Sequence, residues 1–245
     1  MKVSEKIIYI SNWIKSYVDN MPTKAQSLVI GISGGIDSSV SSTLSAMTGL
    51  KTIVLSMPIK SKLTQYDLSL KHQYWLIKNF KNVEVHTVNL DELFKTFESS
   101  LSEFNNELGM ANSKARLRMT TLYQVAAANK GIVVGTGNKI EDFGVGFYTK
   151  YGDGGVDISP IADCNKTEVW ELGKELGILE EIINAAPTDG LWDDGRTDEG
   201  QLGLTYKDLE EAMGNPNSLN REKYEKLRKL NLHKMEPIPV CKIPN

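Results

Sequence analysis

Ser27-Leu28-Val29-Ile30-Gly31-Ile32-Ser33-Gly34-Gly35-Ile36-Asp37-Ser38-Ser39 decides how this chain of 245 residues is read. The apolar run 27–32 ends in serine and two glycines, and a helical pattern opens at Asp37 and runs to Thr48. A short apolar run bounded by turn residues reads as a buried strand, so the stretch predicts a strand, a tight turn and a helix. At such a turn the first backbone N–H groups and the helix dipole point at one place, which suits an anion. Gly34 and Gly35 let the main chain approach a phosphate and adopt positive φ, and Ser33, Ser38 and Ser39 add hydroxyls. Asp37 would repel a bare phosphate. It makes sense there if Mg2+ lies between the carboxylate and the phosphates. Neither GxxxxGK[ST] nor GxGxxG occurs, so this is neither a Walker loop nor the dinucleotide fingerprint.

Working outward, further strands are expected at 52–57, 83–88 and 131–135. Helices are expected at 4–19, 65–80, about 91–101, about 111–130, 166–176 and 216–230. Strands alternating with helices predict an α/β fold, a parallel sheet with helices on both faces, joined by right-handed crossovers. One domain over 1–245 fits this length. Segments 60–66 and 188–201 are candidate lids, or ordinary surface loops.

Composition narrows the classes of function. Hydrophobic residues at 40% and charged residues at 24% are ordinary for a soluble globular chain. No run approaches the roughly 18 apolar residues of a membrane span, and the N-terminus lacks a signal-peptide pattern, so a cytoplasmic protein without membrane contact is expected. A net charge of −3 offers no global attraction to nucleic acid. A polyanionic substrate must therefore be held by local cations. Cys164 and Cys241 make no metal-ligand spacing with His72, His86 or His233 and read as reduced structural thiols. No Ser/His/Asp or Cys/His constellation suggests a covalent nucleophile.

Three more stretches carry charge into turn-rich surroundings. In Asn112-Ser113-Lys114-Ala115-Arg116-Leu117-Arg118-Met119, Lys114 and Arg118 share a helical face while Arg116 points elsewhere. A solvated basic face is the plainer alternative. Gly135-Thr136-Gly137-Asn138-Lys139-Ile140-Glu141 follows the last strand, where ligands of open α/β sheets collect. Thr136 can face the first loop, and Glu141 can supply a second carboxylate to Mg2+. Tyr148-Thr149-Lys150-Tyr151-Gly152-Asp153-Gly154-Gly155-Val156-Asp157 combines one cation, two carboxylates and a glycine-bent backbone.

SGGIDS resembles the pyrophosphate loop of the ATP pyrophosphatases. With KARLRM, GTGNKIE, TKYGDGGVD, Asn165-Lys166, Pro187-Thr188 and His233-Lys234 in order, the chain resembles the NAD synthetases from about residue 5 to 235. The segment from Glu141 to Thr149 is one residue longer than in some of them. The resemblance implies an adenine nucleotide alpha hydrolase-like, Rossmann-like three-layer sandwich. It also implies a homodimer with the dinucleotide site at its interface. By position it implies that Gly31, Ile32, Ser33, Gly34, Gly35, Ile36, Asp37 and Ser38 bind ATP, with Thr136, Lys166 and Thr188. It implies that Asp37 and Glu141 hold Mg2+, and that Arg116, Lys150, Asp157, His233 and Lys234 bind deamido-NAD. Asp37 and Lys166 are the expected catalytic groups. Glutamine-using relatives carry an added amidohydrolase domain for which 245 residues leave no room, so free ammonia is the expected donor. The rivals are another ATP pyrophosphatase acting on a different substrate, and a non-catalytic nucleotide-binding module.

Overall fold

The computed structural model describes residues 1–60, 63–192 and 194–244; Ser61, Lys62, Asp193 and Asn245 lie outside it, as do the side chains of Leu63 and Thr64. The candidate lids 60–66 and 188–201 therefore fall partly outside the described residues. Four parallel strands, β1 (Ser27–Gly31), β2 (Thr52–Ser56), β3 (Val83–Thr87) and β4 (Gly131–Val133), form one sheet in the order β3-β2-β1-β4. Leu28 pairs with Thr52 on one side and with Ile132 on the other. The helices are α1 (Val3–Asp19), α2 (Ile36–Met47), α3 (Leu63–Asn79), α4 (Asp91–Ser100), α5 (Glu107–Ala128), α6 (Lys166–Glu175), α7 (Glu180–Ile183), α8 (Asp198–Leu202), α9 (Tyr206–Gly214) and α10 (Arg221–Met235).

Alternate side chains of one strand leave on opposite faces. Leu28 and Ile30 join a core with Ile10 of α1, Val40 and Leu44 of α2 and Val169 of α6. Val29 joins a second core with Phe94 of α4 and Met119 and Leu122 of α5. The sheet is thus covered twice, which is why β1 and β2 are apolar at consecutive positions. β3, at the edge, exposes Glu84, His86 and Thr87. Past β4 the chain turns back so that Val134 bridges Ile158 in parallel. Ile140, Val145, Tyr206, Leu209 and Tyr224 make a smaller third core that fastens α9 and α10 to the molecule.

The order places β1 between β2 and β4, so the chain reverses its direction of travel across the sheet at β1. A crevice opens at the carboxyl ends of strands at such a reversal, and here it lies between the turns following β1 and β4. Two expectations need correction. The helix expected at 216–230 spans 221–235, because Pro216 lies in turns and Leu219 is fully exposed. His233 and Lys234 therefore sit in its last turn rather than in a tail. The polar stretch 188–201 ends in α8, capped by the Thr197 side chain.

Candidate active site

The turn after β1 is built for close approach. Gly34 has φ +89°, and a Cβ there would meet the Gln65 carbonyl oxygen at 2.6 Å, so only glycine fits. No side chain caps α2, and its Ser39 N–H is already bonded to the Gly35 carbonyl. The amides of Ile36, Asp37 and Ser38 thus have no partner within the helix, as the first turn of any helix dictates. The serines behave differently from expectation. Ser38 and Ser39 are buried and both donate to the Gly35 carbonyl, at 3.0 and 2.9 Å. They stiffen the turn, and the backbone amides are what it presents.

Asp37, on the first turn of α2, meets Glu141 across the crevice. Glu141 lies on a π-helical turn, Ile140–Val145, closed by the Gly146 N–H on the Glu141 carbonyl. Asn138 ties the two together. Its Nδ2 donates to Asp37 Oδ1 at 3.0 Å, and its Oδ1 accepts from the Ile140 and Glu141 amides, both at 3.1 Å. Lys166, the first residue of α6, is 2% exposed and reaches Asp37 Oδ2 at 2.5 Å and Glu141 Oε1 at 3.0 Å. A capping box between Asn165 and Glu168 fixes that helix start. Tyr206 Oη donates to Glu141 Oε1 at 2.6 Å and lies 3.1 Å from Asp198 Oδ2.

The electrostatics show an excess of carboxylates. Burial pushes the Asp37 carboxyl up, only partly opposed by Lys166. Burial, then Glu141, push Asp198 up to about 7 and Asp142 up to about 8. Burial alone would push the Lys166 ammonium down, but Asp37 and Glu141 outweigh it and hold it up. One buried lysine thus faces two of these acids, Asp37 and Glu141, and cannot balance the charge of both.

The remaining predicted residues fall into other groups. Arg116 is exposed, and its Nε donates to the Lys150 carbonyl at 3.2 Å; Lys150 Nζ donates to the His233 carbonyl at 2.9 Å. Lys234 Nζ donates to the carbonyls of Gly146 and Tyr148. Arg116, Lys150, His233 and Lys234 are therefore brought together. Asp157 stands apart, accepting from the Val133 amide and from Tyr123 Oη beside an open hollow lined by Met119, Thr120, Tyr123, Tyr151 and Val156. Thr136 is half-buried on the turn after β4. Thr188 spends its hydroxyl within its own loop, donating to the Arg196 carbonyl and accepting from Gly190 N–H.

The family model of NAD synthase matches residues 6–242. This chain belongs to the NAD synthase family. It is 41% identical to the NH(3)-dependent NAD(+) synthetase of Carboxydothermus hydrogenoformans, covering 85% of this chain and 84% of that one. It is 39% identical to the enzyme of the same name from Mesoplasma florum, covering 96% and 95%. A solved structure of NMN synthetase from Francisella tularensis superposes with TM-score 0.91 at 32% identity, covering 99% of this chain and all of that one. Within this member of the NAD synthase family, sequence reasoning assigned no role to Asn138, Asp198 or Tyr206. Asn138 stood inside a quoted motif, but its bond to Asp37, like that of Tyr206 to Glu141, joins distant segments and no local spacing reveals it.

Proposed function

We propose that this protein amidates deamido-NAD with ammonia to give NAD, splitting ATP to AMP and pyrophosphate. The observation that carries the reading is the meeting of Asp37 and Glu141 on one buried cation, beside the opening amides of α2, which have no partner within the helix. A carboxylate is a poor electrophile and must be activated. Its attack on the α-phosphorus of ATP gives an acyl adenylate and releases pyrophosphate. Ammonia then attacks the acyl carbon and AMP leaves. Both partners of the first step are anionic, so positioning and charge neutralisation dominate.

In this reading residues 31–38, Thr136, Lys166 and Thr188 hold ATP, and Arg116, Lys150, Asp157, His233 and Lys234 hold deamido-NAD. Asp37 and Glu141 fit Mg2+: two carboxylate oxygens already converge on a single cation, and Asn138 and Tyr206 orient them from behind. Bound Mg2+ would neutralise charge on the phosphates. Residues 1–245 act as one synthetase unit on free ammonia, as a cytoplasmic homodimer that binds neither nucleic acid nor membrane. Among the described residues no helix is long and apolar enough to cross a bilayer.

The superposition on an NMN synthetase favours a second reading, amidation of the corresponding mononucleotide acid by the same chemistry. Mass spectrometry of products from each acid with ATP, Mg2+ and ammonium tests both. NAD is the expected product, with kcat/KM for the dinucleotide acid at least about tenfold higher. A preference for the mononucleotide establishes the second reading, and no amide from either acid overturns both. Asp37→Ala is expected to lose about 100-fold or more in turnover while folding normally.

A further inference from the structure

Arg118, in the KARLRM motif, has no role in the reading above, and its surroundings are unusual. It lies one turn beyond Lys114, on the face of α5 opposite to the exposed Arg116. Its Nε donates to the Met57 carbonyl at 3.0 Å, just past the carboxyl end of β2. Met57 in turn lies against the phosphate turn, since a Cβ on Gly31 would meet Met57 Cε at 3.0 Å. Lys114, buried on the same face, donates to the Leu191 carbonyl of the 188–201 segment. Arg118 thus sits between the ATP turn and that segment.

Burial pushes its guanidinium down to about 10, against the pull of Asp153 and Asp189. Neither acid pairs with it. Asp153 accepts from the Thr149 amide, and Asp189 from Leu191 N–H, Trp192 Nε1 and Gln201 Nε2. Among the described residues both Nη groups of Arg118 lack a hydrogen-bond partner. A guanidinium offers five donors in a rigid fork, and here one is used. The side chain is only part-buried, so its tips are open to a ligand, and a fork with both tips free matches two oxygens of one oxyanion.

We propose that Arg118 holds the oxyanion at the adenylation centre through its two Nη groups, as a catalytic residue for the first half-reaction. The oxyanion belongs either to the α-phosphoryl group of ATP or to the substrate carboxylate. The inference rests on the amidation reading above, with activity of the unaltered chain as its control.

The test uses the full chain with Arg118→Lys and Arg118→Ala. It measures pyrophosphate–ATP exchange without ammonia, full turnover, KM for each substrate and the melting temperature. Arg118→Lys is expected to keep the fold and lose about 100-fold or more in exchange. Methylguanidinium is expected to restore part of the loss in Arg118→Ala, which a purely structural role would not allow. A raised KM for ATP assigns the phosphoryl oxygens, and a raised KM for the acid substrate assigns the carboxylate. Folded Arg118→Lys with exchange within about threefold of the unaltered chain overturns the proposal, as does failure of methylguanidinium to restore any activity to a folded Arg118→Ala. If the unaltered chain itself makes no amide, the amidation reading has failed instead.

Discussion

Tyr206 has one hydroxyl proton and two carboxylates beside it. The 2.6 Å contact to Glu141 takes that proton, so the 3.1 Å contact to Asp198 needs a proton from the Asp198 side. Burial supplies the means, since it pushes Asp198 up to about 7. Glu141 is thereby aimed by a chain of two residues behind it. Tyr206→Phe keeps the ring in its core and removes the aiming bond. It is expected to raise the Mg2+ concentration for half-maximal turnover by about tenfold, read by titrating Mg2+ at saturating substrates. At this scale the sequence exposed the residues that sit in one motif. The two glycines, Asp37 and the shared face of Lys114 and Arg118 follow from spacing alone. Asn138 bonding Asp37, 101 positions away, follows from none.

Among the elements, Glu141 is carried on a π-helical turn, Ile140–Val145, a form that local sequence periodicity does not announce. A turn closed by bonds to the fifth residue back accommodates one more residue than an α turn. Strands were legible as short apolar runs bounded by turn residues, and most helices by their 3.6 period, because both signals are local. α9 was not anticipated: it is short, and its buried Tyr206, Leu209 and Ala212 pack on a core assembled from distant segments. α5 shows an outer stripe of Thr120, Tyr123, Gln124 and Ala127 without charge, beside Arg116. A solvated helix face is ordinarily charged, so this stripe suits a second copy of the chain, adjoining the residues proposed for deamido-NAD. α1 offers a competing stripe, Tyr9, Trp13 and Tyr17. If the proposed homodimer packs through this stripe, Ala127→Arg, which preserves helix propensity, gives monomers in sedimentation at micromolar concentration. A dimer that survives Ala127→Arg but not Trp13→Glu would move the interface to α1.

For the whole molecule, the core on the α2 side contains one buried imidazole. His72 bonds Ser42 at 3.0 Å, and burial pushes it down to about 4. An unfolded histidine titrates near 6.5, so as pH falls the unfolded chain takes the proton first. The contribution of neutral His72 is complete above pH 6.5 and is lost between about 6.5 and 4, a change on the order of 3 kcal/mol. Urea midpoints measured across that range should fall steeply, and His72→Gln should flatten the fall. The site is likewise a property of the whole. Asp37, Glu141, Lys166, Tyr206 and the α10 pair come from five separate regions, and Lys150 and Lys234 bond across to close them. A ribosome-bound chain still lacking α10 has its phosphate turn but no fastened dinucleotide segment. Without α10, Lys150 loses the His233 carbonyl and the Gly146 and Tyr148 carbonyls lose Lys234, so the 146–150 segment is left untied.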